Sequence, residues 1–177
     1  MITIEEFAGD ASEWDGFVEW SPGATYCHLH AWREIMSDVL GHESRQFVAV
    51  DENGVWRGVL PLVRVRNPLF GHYLVSMPFL NSGGPLGTPE AERALVARAV
   101  GEAEHSRADL LELRSRRLVR SAPRQSNRKI TVQLPLPAEP DMLWKAFPSK
   151  LRSQIRRPQK EGLVTRFGLS ERAVTVM

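Results

Sequence analysis

Cysteine is almost missing from this 177-residue chain: the single Cys27 excludes an internal disulfide and a thiolate-bound metal cluster, and it agrees with a reducing cytoplasm. A lone cysteine ordinarily serves as a small apolar filler. No run of eighteen apolar residues occurs, so no helical membrane span is expected. The opening residues, MITIEEFAGDASEW, are acidic where an export signal begins with cations and an apolar stretch. The chain therefore reads as a cytoplasmic, globular protein. Internal repeats and low-complexity tracts are also lacking.

Catalytic and metal motifs are equally scarce. His28 and His30 stand two apart, but no carboxylate or third histidine lies nearby at ligand spacing, so they read as packing or turn residues and no metal is expected. No Gly-x-Ser-x-Gly turn occurs, and Ser76 sits before Met-Pro at the end of an apolar stretch, which argues against a serine hydrolase. Helix-turn-helix, zinc-finger and RNA-recognition signatures are missing, which argues against sequence-specific DNA binding. Gly83-Gly84-Pro85 reads either as a tight turn or as a place where backbone N–H groups meet a ligand.

What is present is a strong charge asymmetry. Residues 1–106 hold 7 Lys/Arg against 15 Asp/Glu, and residues 107–177 hold 16 against 6, so the net +2 conceals roughly −8 beside +10. A field of one sign gathers ligands of the other. The cations concentrate in 144–162, WKAFPSKLRSQIRRPQKEG. Leu151 and Ile155, four apart, are expected to face a core. Lys150, Gln154 and Arg157 then line one flank of a helix, with Arg152, Arg156 and Lys160 on the other. Arginine's planar fork suits phosphate, and lysine adds a compact charge. The two readings are an anion-binding helix, preferred here, and a solvated face. Pro158 predicts a kink or stop near its position.

The pattern along the chain predicts an α/β (α+β mixed sheet) architecture. Strands are expected at 2–7, 46–50, 55–65, 72–77, 110–113 and 129–134, with helices at 13–20, 31–40, 89–106, 140–147 and 149–161. Glu52-Asn53-Gly54 supplies the turn of a hairpin. Trp32, Ile35, Met36, Val39 and Leu40 form one stripe of the second helix. The expected core includes Trp32, Ile35, Val48, Leu60, Leu62, Leu74, Leu111 and Leu113. Residues 115–128, SRRLVRSAPRQSNR, read as an exposed cationic loop.

Several ordered segments, 25–32 (TYCHLHAW), 58–63 (GVLPLV), 70–79 (FGHYLVSMPF), 81–84 (NSGG) and 150–162 (KLRSQIRRPQKEG), resemble the FemAB-like proteins. More narrowly, they resemble the group associated with PEP-CTERM and exopolysaccharide systems. The resemblance covers roughly 1–168 and leaves 169–177 (LSERAVTVM) as an unassigned tail. It implies a single GNAT-like domain, the first of two that the family carries, in a chain about half the family's length. The expected activity is transfer of an acyl or aminoacyl group to an amine on an envelope or exopolysaccharide precursor. Holding donor and amine together and stabilising the oxyanion drive such a transfer. Phosphorylated glycan or peptidoglycan-type precursors are the expected partners, with aminoacyl-tRNA as a donor. Lys150, Arg152, Arg156 and Arg157 take the substrate-phosphate role. No metal or cofactor is implied, and the GNAT pyrophosphate loop, Gln/Arg-x-x-Gly-x-Gly/Ala, is absent, which makes acetyl-coenzyme A a poor donor. Loss of the second half would leave apolar surface for a homodimer or another subunit to cover, and it would make the isolated chain inactive. The alternative is a non-catalytic module binding phosphorylated glycan carriers, UDP-sugars or tRNA. If the helix binds phosphate, replacing Arg152 and Arg156 together with Ala should weaken UDP-sugar binding by about 1.5–3 kcal/mol per lost charged hydrogen bond, read by calorimetry at two salt concentrations. Unchanged binding would make it a solvated face.

Overall fold

A computed structural model describes residues 1–69, 71–119, 124–126, 130 and 132–164. The chain divides into two compact units, 1–131 and 132–177. The first is a mixed α/β unit. Strands β1 (Thr3–Glu6), β2 (Glu43–Val50), β3 (Trp56–Asn67) and β4 (Gly71–Val75) pair antiparallel in that order, and β6 (Leu110–Glu112) joins β4 in parallel. A short β5 (Leu86–Gly87) pairs with β3 beside Gly58 and Val59.

Helix α3 (Pro89–Ser106) begins where Thr88 caps it and Pro89 fills its first turn, and it ends at Arg107 in the left-handed conformation. It supplies the crossover that a parallel β4–β6 pair requires. Ala91, Leu95 and Ala99 on one side of the helix pack against Phe47, Leu60, Leu62 and Leu74. The opposite sheet face is covered by α1 (Ala11–Trp20), whose Trp14 and Val18 meet Phe7, Val48, Val59 and Leu86. Residues 58–63 of β3 are buried without a break because helices cover both faces. Arg45 and Arg98 sit over the Phe47 ring, each 5.1 Å from its centroid, and both pair with Glu102, tying β2 to α3.

The hairpin turn forms at 51–55 as expected. Asp51 accepts from the N–H groups of Asn53 and Val55 at 2.9 and 3.0 Å, and Gly54 takes a positive φ. The stripe proposed for 31–40 does not form. Only Ala31–Glu34 is α-helical (α2), and Ile35–Val39 is a π-helical turn. The wider turn rotates later side chains out of phase, so Met36 is buried while Ile35, Val39 and Leu40 are exposed. Of the expected core, Val48, Leu60, Leu62 and Leu74 are buried, whereas Trp32, Leu111 and Leu113 are half-buried and Ile35 is not buried.

In the second unit, α4 (Pro140–Ala146) and α5 (Ser149–Lys160) form as predicted. Their core does not. Leu151 and Ile155 are 38% and 39% exposed, and no residue of either helix is buried, because two short helices lack the area to enclose an apolar side chain. Helix α5 passes through Pro158 and ends two residues later, at Lys160; beyond it Gly162 takes a positive φ, Leu163 N–H reaches Pro158 O at 3.0 Å and Gly162 N–H reaches Gln159 O at 3.2 Å. Of the strand expected at 129–134, Ile130 and 132–134 carry no strand pairing; Lys129 and Thr131 lie outside the described residues, as do 120–123, 127 and 128 of the expected loop.

Two glycine replacements test this packing. A Cβ at Gly87 (φ 145) would stand 2.2 Å from Arg57 O, whereas at Gly16, in α1, it would meet nothing within 4 Å. Gly87→Ala should destabilise by about 2 kcal/mol or more. Gly16→Ala should stabilise by about 0.5–1 kcal/mol in urea unfolding. Equal effects would contradict the β3–β5 approach.

Candidate functional site

The site begins with a capped turn. Thr25 opens the 3-10 turn Tyr26–His28, and its hydroxyl accepts from Cys27 N–H at 3.2 Å. Thr25 N–H in turn donates to His28 Nδ1 at 3.2 Å, closing a reciprocal capping box. A nitrogen that accepts carries no proton, so the proton sits on Nε2, which donates to Gly84 O at 3.2 Å. Trp14 Nε1–H holds the carbonyl of His28 at 2.7 Å from within the core.

The second wall comes from 76–86. Ser76 N–H still bonds to Glu112 O at 2.9 Å, but Met77 (φ 60) and Phe79 (φ 66) then turn the chain out of the sheet. Where backbone pairing would continue, the Ser76 hydroxyl accepts from Arg114 N–H at 2.8 Å. The chain returns at Gly84, whose N–H donates to Arg114 O at 2.9 Å. A Cβ at Gly84 would stand 3.0 Å from Arg114 O and from Ser115, so glycine permits this approach. Of the two readings of Gly83-Gly84-Pro85, the turn fits Gly84, whose N–H is spent on the chain rather than offered to a ligand. Ser82, beside it, shares a hydrogen bond with Thr25 at 3.0 Å.

The third wall is 114–117. The Arg114 guanidinium donates to Leu80 O at 2.9 Å and to Glu112 at 3.1 Å, fastening the left-handed turn to β6. Arg117 pairs with Glu92 of α3 and donates to Gly87 O at 3.3 Å. Arg116 makes no ion pair among the described residues. These segments line a partly open cavity of about 270 Å³, to which Gly23 and His28, then Ser82, Gly84 and Leu86, and finally Arg114, Arg116 and Arg117 contribute. A broader depression of about 520 Å³ at the hairpin tip is lined by Asp51, Glu52, Arg57 and Glu90, but its Asp51–Arg57 pair is already satisfied at 2.7 Å.

Electrostatics follow burial. Burial holds the His28 imidazole below its ordinary value, against the raising effect of the Gly84 and Thr25 hydrogen bonds. Burial also acts to raise the Cys27 thiol, but hydrogen bonds with Ser82 and Thr25 outweigh it and leave the thiol below its usual range. Burial raises the Glu92 carboxyl, opposed by Arg117.

The sequence-predicted phosphate residues lie elsewhere, in the second unit. Arg156 stands over the Trp144 ring at 5.0 Å, Arg157 pairs with Glu161 at 2.8 Å, and Lys150 is exposed, with Arg152 half-buried. Sequence reasoning weighed the 115–129 loop as a phosphate-backbone contact alongside the basic helix but did not single out Arg116 and Arg117, and it missed Arg114, which ends the short strand run before that loop. The alternating Leu-Glu-Leu-Arg before them was the available signal.

No protein-family model matches the chain, and no curated protein matches it. Among solved structures, FemX is similar at 23% identity and TM-score 0.43, over 59% of this chain and 25% of FemX's own length. This chain is also similar to the "Putative acetyl transferase from Pyrococcus furiosus", at 13% identity and TM-score 0.43, and to a transcriptional regulator from Bacillus halodurans, at 12% identity and TM-score 0.41. Each covers nearly all of both chains, 97% and 98% for the former and 96% and 98% for the latter. At these TM-scores the likenesses decide neither family nor chemistry. No helix among the described residues is long and apolar enough to cross a membrane, and no group of three or more metal-ligating side chains occurs among them.

The buried imidazole gives a pH test. A lowered folded-state pKa means that the unfolded chain binds the proton first, so stability present above pH 6.5, the ordinary histidine value, declines as pH falls below it. Comparing urea unfolding of the parent and His28→Gln between pH 7.5 and 5 should show a shallower pH slope in the variant. Identical slopes would mean that His28 titrates normally.

Proposed function

We propose that this chain is a GNAT-like, FemAB-like domain that transfers an acyl or aminoacyl group to an amine on a phosphorylated envelope or exopolysaccharide precursor. The observation that carries the reading is convergence. Segments 25–32 and 81–84, two of the five that carry the resemblance, are joined by the Thr25–Ser82 hydrogen bond and contribute His28, Ser82 and Gly84 to one arginine-lined cavity. With an aminoacyl ester as donor, the amine nitrogen attacks the ester carbonyl carbon. The N–C bond forms, the ester C–O bond breaks, and the departing hydroxyl takes the proton that the amine loses. Donors fixed in a partly enclosed site suit the negative charge that develops on the carbonyl oxygen.

The same proposal assigns phosphate contacts to Lys150, Arg152, Arg156 and Arg157, a domain spanning 1–168, a cytoplasmic setting, no cofactor, and a second half or second copy that completes the substrate groove. The second reading, a module that binds phosphorylated carriers without transfer, draws on the same cationic residues. Incubating the full chain with aminoacyl-tRNA and an amine-bearing UDP-linked precursor distinguishes them. A precursor heavier by one aminoacyl residue in mass spectrometry supports transfer, and binding of the precursor without any mass gain favours the binding module.

A further inference from the structure

We propose that the cavity between 82–86 and 114–117 is itself a phosphate-binding pocket, with Arg116 and Arg117 as the anion contacts, separate from the cations of α5. Three arginines and no carboxylate line it among the described residues. Two of those arginines are held in place rather than free. Arg114 is fastened by Glu112 and by the Leu80 carbonyl, and Arg117 by Glu92 and Gly87 O. The Arg117 bonds engage Nη2, which leaves the other edge of its fork without a partner among the described residues. Arg116 lines the same cavity and makes no ion pair among the described residues. A pre-placed guanidinium and an unpaired one on one cavity can give charged hydrogen bonds to a phosphate group at small entropic cost.

The remaining wall limits what the phosphate carries. Gly23, Pro85 and Leu86 present small or apolar surface, and Ser82 and His28 already have hydrogen-bond partners. About 270 Å³ accommodates a diphosphate, and because the cavity opens to solvent a sugar carried by the phosphate can extend out of it. The ligand class is therefore a sugar phosphate or sugar diphosphate. This assignment depends on the transfer reading only for the identity of the natural substrate; the binding stands or falls without it.

The test uses the full chain, pyrophosphate and UDP-glucose as probes, and calorimetry at 150 mM salt. Arg116→Gln should raise the Kd for both probes at least tenfold, and Arg116→Lys should recover part of the loss. Arg66→Gln removes an equal charge from exposed surface outside the cavity lining and should change the Kd less than twofold. Thermal melts of each variant confirm folding, which the exposed Arg116, with no ion-pair partner among the described residues, should not disturb. Equal weakening by Arg66→Gln would mean diffuse charge and overturn the pocket. So would an Arg116→Gln protein that binds both probes normally, or one that loses only binding to bulk tRNA. Loss of probe binding in Arg116→Gln together with a failed transfer assay would keep the pocket and remove the transfer reading. Successful transfer with unaltered probe binding would do the reverse.

Discussion

The arrangement around the cavity depends on one event, the splitting of the parallel β4–β6 ladder at Ser76. Up to that residue the backbone pairs in the ordinary way, and Ser76 N–H still reaches Glu112 O. Beyond it the left-handed Met77 swings the chain away, which would orphan the N–H of Arg114 in a half-buried position. A buried donor left without an acceptor costs about 1–3 kcal/mol, and the Ser76 hydroxyl removes that cost by standing where the next carbonyl would have been. The returning Gly84 then satisfies Arg114 O. A serine and a glycine eight positions apart thus let two strands separate without leaving unpaired backbone, and the gap between them becomes a wall of the cavity.

Arg114 couples that gap to the rest of the sheet. Its backbone is held from both sides, and its guanidinium bonds to Leu80 O and Glu112, so the strained turn and the end of β6 move as one piece. Non-glycine residues at positive φ cost about 1–3 kcal/mol each and persist only where their surroundings over-determine them. Here the surroundings include full burial of Met77 against Met36 and Val63. Arg117 is held in turn by Glu92 and Gly87 O, which is why a sequence stretch with no periodicity presents this arginine at a defined position.

The hairpin, α3 and β6 were legible because their signals are local: turn residues at 51–54, a Thr-Pro start at 88–89, and an apolar run at 110–113. Residues 31–40 misled for a physical reason. A stripe drawn at 3.6 residues per turn holds only while the helix stays α, and the π turn at Ile35–Val39 breaks the phase after Met36. Leu151 and Ile155 misled differently. Their spacing is that of an amphipathic helix, but spacing specifies a face and not a partner, and among the described residues of its own unit α5 has only the helix α4 to pack against.

The sequence by itself determined the alternation of strands and helices, the place of the hairpin turn, the lack of an internal disulfide and the gathering of cations after residue 106, since each follows from neighbours within a few positions or from composition. Only the tertiary structure decided that Thr25 meets Ser82, that His28 is neutral and locked against Gly84, and that Arg116 and Arg117 belong to a cavity. These pairings join residues far apart in the chain, and they form because burial of β3 on both faces forces its neighbours together. No local preference of a threonine, a histidine or an arginine contains that information.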